Sequence, residues 1–410
     1  MTNTAAPRLG AYAVFAALIA AAGLPIYIHA PKFYVDEYGV SLAALGTVLF
    51  GLRLLDVVQD PLFGRLSERI RDARAQAVLV ATAVMALGML GLFAMAPLFD
   101  PLWWFAAMLV LVFSSFSFLT INFYAQGVIK AEKLGASGHL RLARWRETGA
   151  LLGVCAAAVA PTLLALAMGS EFAGFAIGFV LLAVIAAVLM QTEWSSADTP
   201  PGAGLGVVLA DRPARRLLLI ALINAAPVAV SSTLFLFFVD SKLQAPDMGG
   251  PLLLVFFLSA ACAAPVWSRL AERYGAKPIL ISAMVLAIVA FAFVLLLGPG
   301  DWVWFLIICV ACGAAVGADL TLLPAVFATR MARISPSAAE GFGLWSFVSK
   351  FTLAFAAVTL LPALEAAGFE AGGDSPQSAL DLLSLLYAAV PCVLKVAAIV
   401  LLLATPLEED

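Results

Sequence analysis

Runs of some twenty apolar residues recur along the whole chain, separated by short polar stretches. Within each run, polar positions are too sparse to mark one wet face, so these are not the stripes of surface helices. A bilayer hydrocarbon core about 30 Å thick takes about 20 helical residues, and each run therefore predicts one membrane-spanning helix. The spans fall near 10–36, 41–67, 76–97, 101–130, 143–167 and 170–191, then near 213–240, 249–271, 277–299, 301–331, 341–366 and 378–405. The expected fold class is an all-α polytopic membrane protein of 12 transmembrane helices. Thr192–Asp211 is rich in Pro, Gly, Ser and Asp and reads as a linker. It separates an N-terminal six-helix half, 1–191, from a C-terminal one, 212–410.

The two halves repeat one another. Pro61-Leu-Phe-Gly-Arg-Leu-Ser-Glu-Arg69 ends the second span, and Pro265-Val-Trp-Ser-Arg-Leu-Ala-Glu-Arg273 ends the eighth. Pro, Arg, Leu, Glu and Arg recur in register. Two repeated six-helix halves are the sequence sign of a secondary transporter that binds substrate midway between them. No GxxxxGK[ST] loop is present, which argues against a nucleotide-driven pump. Gly149–Gly153, Gly174–Gly178 and Gly313–Gly317 have the GxxxG spacing that lets helices approach closely.

Basic residues set the expected orientation. Arg65, Arg69, Arg71 and Arg74 follow the second span, and Lys130, Lys133, Arg141 and Arg144 follow the fourth. Arg212, Arg215, Arg216, Arg269, Arg273, Lys277, Arg330 and Arg333 extend the same alternation, while the opposite loops carry only Lys32 and Lys242. The positive-inside rule then puts both termini in the cytoplasm, with the chain in the inner (plasma) membrane. Composition agrees: 63% of residues are hydrophobic and 12% charged, outside the range of soluble domains. The chain begins without a cleavage pattern for a signal peptide. The five cysteines all lie in apolar segments and read as packing residues, Cys309 and Cys312 included. With only His29 and His139 as histidines, an enzyme is not expected. No cofactor and no nucleic-acid partner are expected. The expected partners are a small-molecule substrate and membrane lipids, with the protein a monomer.

Ionisable groups at membrane depth are expensive and usually face a cavity or a partner. The second span contains Arg53, Asp56 and Asp60, with Gln59 between the acids. The i, i+4 spacing puts both carboxylates on one helix face, where they suit Na⁺ or a transferable proton. The alternative is structural, with Arg53 neutralising Asp56. The repeat-equivalent positions are Ala260 and Ala264, so the repeated helix geometry does not itself require the acids. Lys350, within Trp345–Phe351, is a candidate partner for the acids or for an anionic substrate. Asp319 and Lys395 either pair with each other, or Asp319 caps a helix broken before Pro324. Arg146 and Glu147 form either a gate ion pair or plain charges at a span end. Pro25, Tyr27, His29 and Tyr34, with Asn122, Tyr124 and Gln126, supply groups for a substrate pocket.

Asp56-Val-Val-Gln-Asp-Pro-Leu-Phe-Gly64, with Asp36 before it, resembles the glycoside–pentoside–hexuronide:cation symporters of the major facilitator superfamily. Arg146, Lys350 and the Gln377-Ser-Ala approach to the last span extend the resemblance over most of the chain. The resemblance implies a major facilitator fold and a cation site at Asp56, Gln59, Asp60 and Ser117, with Lys350 as the lysine near it and Arg146 as the family's arginine of the fifth span. It also exposes departures. The sugar-binding acids of the melibiose-permease-like members align with Ala20 and Thr120, and the tryptophan that stacks on sugar aligns with Tyr124. The expected activity is secondary transport of a small organic solute, coupled to Na⁺ or H⁺ by alternating access. The cargo is a glycoside or an amphipath such as a lysolipid. Proton-coupled export of drug-like amphipaths is the alternative.

Overall fold

The computed structural model describes residues 7–168, 171–194, 204–369 and 375–406. Among them no strand occurs, and fifteen α-helices follow one another in the order of the predicted spans. They are α1 (Leu9–Ala21), α2 (Leu24–Tyr38), α3 (Leu42–Arg69), α4 (Arg74–Phe93), α5 (Pro101–Ala131), α6 (Gly138–Met168), α7 (Glu171–Met190) and α8 (Leu205–Ala210). After these come α9 (Arg212–Phe237), α10 (Gly249–Tyr274), α11 (Ala276–Ala292), α12 (Trp302–Ile334), α13 (Ala339–Ala366), α14 (Gln377–Ser384) and α15 (Val390–Leu403). Eight helical stretches among the described residues are long and apolar enough to cross a bilayer. The other four expected spans coincide with α1–α2, α3, α6 and α13.

Two expected spans are not continuous α-helices. The first breaks at Ala22–Gly23, immediately before Pro25, which has no backbone N–H to continue the ladder. The last carries a wider π-helical turn at Leu385–Ala389, between α14 and α15. Another such turn, Phe238–Lys242, closes the seventh span. Conversely, α12 runs unbroken through Pro324, so Asp319 does not cap a broken helix. Residues 195–203 of the expected linker lie outside the described residues.

The chain forms two compact units. One comprises Met1–Val208 with Ala328–Phe347; the other comprises Leu209–Phe327 with Val348–Asp410. Both α12 and α13 therefore change unit along their length, and a segment of the second sequence half folds with the first.

In the first unit α6 packs on α1 at two glycines one helical turn apart. A Cβ at Gly149 would stand 2.2 Å from the Ala13 carbonyl oxygen, and one at Gly153 2.5 Å from that of Ala17. Only glycine permits that approach. An aromatic layer of Tyr12, Phe15, Phe123 and Trp194 fills the neighbouring space. Beside it Lys130 Nζ lies 3.3 Å from Glu193 Oε2, and the Arg8 backbone N–H donates to Glu193 Oε1. This buried ion pair ties the ends of three segments together. In the second unit the equivalent close contact joins α12 to α10. A Cβ at Gly313 would stand 2.2 Å from Phe256 O, and one at Gly317 2.6 Å from Ala260 O. Phe238 stacks on Tyr387 at 4.5 Å between ring centroids, with Phe305 packed against both. The end of α15 is capped from outside, since Lys277 donates to the carbonyls of Leu403 and Thr405 and Arg216 to that of Ala404.

Candidate functional site

Ser41 caps α3, its hydroxyl accepting from the Ala44 N–H, and the helix then runs through Pro61 to Arg69. The i, i+4 spacing brings Asp56 and Asp60 to the buried side of this helix, at 2% and 0% exposure. Gln59 Nε2 donates to Asp56 Oδ1 at 2.7 Å, and Ser117 Oγ of α5 donates to the same oxygen at 3.4 Å. Ser114 Oγ, one turn earlier on α5, donates to Gln59 Oε1 at 3.0 Å. Asp60 Oδ2 accepts from Ser346 Oγ of α13 at 2.6 Å. Carboxylate, amide and hydroxyl oxygens are thus gathered on adjoining turns of α3 and α5. Such a donor set suits a hard cation or a shared proton, and offers nothing to a soft metal.

Below Asp60 the helices close up. A Cβ on Gly64 would lie 3.0 Å from Ala339 O, and one on Gly343 3.0 Å from Asp60 O and 3.2 Å from Gly64 Cα. The first turns of α13 therefore rest on the backbone of α3, and the Asp60–Ser346 hydrogen bond sits at one end of that contact.

The predicted site residues separate into distinct groups. Asp56, Gln59, Asp60 and Ser117 come together as described. Arg146, Glu147 and Tyr124 form a second buried group, in which Arg146 Nε meets Glu147 Oε1 at 2.7 Å and Tyr124 OH donates to the same oxygen at 2.8 Å. The Arg146 guanidinium also lies 3.6 Å over the Tyr124 ring, which packs against Phe342 at 5.1 Å between ring centroids. Arg146 and Glu147 are therefore an internal ion pair rather than plain end charges. Asn122 Oδ1 accepts from Ser67 Oγ at 2.6 Å, and its amide donates to Phe118 O. Gln126 accepts from Arg74 and donates to Glu193 O. Both amides thus tie helices of the first unit together. Thr120 Oγ1 donates to Phe116 O of its own helix. His29 lies among Phe172 and Phe175, at 6.2 and 6.4 Å between ring centroids, while Tyr34 packs against Tyr38 and Phe105. Trp345 belongs to the first unit, whereas Lys350 and Asp319 belong to the second. Asp319 and Lys395 are paired there. The side chains of Arg53, Pro25 and Tyr27 lie outside the described residues.

Ser114 and Ser346 enter the site without having been singled out from the sequence. Ser114 shares a face with Ser117 at i, i+3, a signal the sequence contained. Ser346 precedes Lys350 by one turn, but 286 residues separate it from Asp60 and nothing local pointed to the contact.

Near the start of α6, burial and the neighbouring Arg146 push His139 down to about 4. The unfolded chain therefore binds the extra proton between about pH 4 and pH 6.5. This contribution is complete above the unfolded value and is lost as pH falls through that window, at about 1.4 kcal/mol per pH unit. His139→Gln is expected to raise the melting temperature relative to wild type at pH 5 and to leave the difference near zero at pH 7.5. Melting curves of the two purified proteins at both pH values check this.

Helices of bilayer-spanning length together with two carboxylates buried among the helices are the features of a polytopic membrane transporter. The family model for "MFS/sugar transport protein" matches residues 10–409, and the chain belongs to that family of the major facilitator superfamily. Its structure is similar to the crystal structure of the E. coli fucose:proton symporter, with a TM-score of 0.67 at 14% sequence identity, over 95% of this chain and 98% of that one. The likeness shows a shared fold. No curated protein sequence matches the chain.

Proposed function

We propose that this protein is a cation-coupled symporter of a sugar-like or amphipathic solute, and that Asp56, Gln59, Asp60 and Ser117 bind the coupling ion, Na⁺ or H⁺. The observation that carries this is the oxygen cluster itself: two buried acids one helical turn apart on α3, with Asp56 accepting from the Gln59 amide and the Ser117 hydroxyl. Burying two carboxylates is costly, and a bound cation or proton offsets that cost. The contrast with the repeated helix supports the reading. At Ala260 and Ala264 the backbone is packed directly against Gly317, so the same positions in α10 serve close helix packing. The family supports a solute of the sugar class, and the family's own name supplies no more than that class. The absence of acids at Ala20 and Thr120 favours a glycoside with an apolar body over a simple galactoside.

In this account, ion binding is linked to the hold of α3 on α13 through Asp60. Ser346 and the ion draw on the same carboxylate, so occupancy of the site changes how firmly the first turns of α13 rest on Gly64. That gives the ion a differential interaction with two conformations, as coupling requires of it. The test uses proteoliposomes and a panel of labelled alkyl and aryl glycosides. An inward Na⁺ or H⁺ gradient is expected to drive accumulation above the outside concentration, and an ionophore to collapse it. Equal uptake with and without both gradients would refute ion coupling.

A further inference from the structure

The second unit holds another buried charge cluster, remote in sequence from the acids of α3. Asp319 of α12 and Lys395 of α15 form an ion pair, and Lys395 Nζ also donates to Asn224 Oδ1 of α9 at 2.7 Å. All three are more than nine-tenths buried, at 7%, 4% and 4% exposure. An ammonium has three donors, and these two bonds use two of them. Lys395 also lines a cavity of about 60 Å³ whose walls include Val228, Phe256, Phe291, Val316 and Pro391. The hydroxyl on that wall, Ser231, is turned onto its own helix, donating to Pro227 O and Val228 O. An apolar chamber in the second unit thus has one strong hydrogen-bond donor on its wall.

Charge decides which class of molecule fits. Asp319 and Lys395 already balance, so a bound carboxylate would add an unmatched negative charge at membrane depth, and a bound ammonium a positive one. A neutral molecule satisfies both features, its short alkyl group against the walls and one oxygen accepting from Lys395. We infer that this cavity is a binding site for a neutral alcohol or the alkyl end of a glycoside, anchored by its oxygen on Lys395. Every residue of the site belongs to the second unit, so it stands or falls independently of the ion site on α3 and α5.

Cys392 and Cys312 both lie on the cavity wall, Cys392 partly exposed and Cys312 buried, and Cys155 and Cys309 are buried. The full-length protein carries Cys262→Ser, which removes the exposed thiol, and Cys312→Ala, so that Cys392 is the one cavity thiol read. In it the rate of Cys392 modification by a small methanethiosulfonate reports occupancy. 1-Butanol is expected to protect Cys392 at a concentration about tenfold lower than 1-chlorobutane, the worth of one hydrogen bond to a charged group. Butyrate is expected to give no protection. The double variant Asp319→Asn with Lys395→Met keeps the net charge and is expected to abolish the preference for butanol. Ala287→Leu fills the cavity while leaving the ion pair intact, and is expected to abolish protection by both neutral probes even if the double variant fails to fold. The inference is overturned if butanol gives no protection, if butyrate protects as well as butanol, or if Ala287→Leu leaves protection unchanged.

Discussion

Asp60→Asn is expected to lower ion-driven accumulation in proteoliposomes by roughly 100-fold while leaving downhill flux of the same solute within a few-fold of wild type. Loss of even a supporting ligand costs a cation site about 10–100-fold in affinity, and Asp60 is placed here as a direct one. Asparagine keeps the shape and still accepts from Ser346 at its amide oxygen, so that link between α3 and α13 is kept. The split between accumulation and downhill flux separates lost coupling from lost protein. Ser346→Ala provides the companion measurement. It removes the hydrogen bond to α13 and leaves the carboxylate, so ion affinity is expected to be largely kept while the ion dependence of transport weakens. Equal loss of downhill flux and accumulation in Asp60→Asn would show that the acid holds the fold together instead.

The second large effect falls on stability. Gly149→Leu is expected to destabilise the protein by about 3 kcal/mol, or to prevent its recovery in folded form, because the side chain must enter space held by the Ala13 backbone. Backbone yields less readily than a side chain, so relaxation requires α6 to move away from α1 along its length. Gly178→Ala is the matched control. It belongs to a third pair of glycines with the same spacing, yet nothing lies within 4 Å of a Cβ built there. It is expected to leave the melting temperature unchanged. Thermal unfolding of the two variants in detergent, read by intrinsic fluorescence, checks both.

The contrast between those glycines shows what sequence can and cannot carry. Spacing reports which residues share a helix face, and for that reason Asp56, Gln59 and Asp60 were legible as one group. It does not report what that face meets. The three glycine pairs look alike in sequence, but Gly149–Gly153 and Gly313–Gly317 meet a neighbouring backbone while Gly178 meets none. The helical spans were readable because apolar length follows directly from bilayer thickness. The wide turn at Leu385–Ala389 was not, since it changes the ladder within an apolar run without changing composition. The break at Ala22–Gly23, by contrast, had its signal in Gly23 and Pro25.

Long-range polar contacts were the least legible. Ser346 joins Asp60 only because α13 lies on Gly64, and no local pattern encodes that. Asn122 and Gln126 read as pocket groups by type, yet their amides are held by Ser67, Arg74 and Glu193. A buried amide must find partners, and in this bundle the neighbouring helices supplied them. Asp319 and Lys395 had two readings that sequence alone left level. The unbroken helix at Pro324 and the pair itself decide for the ion pair.

The central claim is that Asp56 and Asp60 bind the coupling ion, and ion-dependent stabilisation of the purified protein tests it without knowledge of the cargo. Melting temperatures measured across Na⁺ concentration, with K⁺ as the control, and again across pH without Na⁺, read either ion directly. Wild type is predicted to gain stability with Na⁺ or with protons, and the Asp56→Asn, Asp60→Asn double variant to lose that dependence while folding normally. The same ion-dependent gain persisting in the double variant would contradict the account.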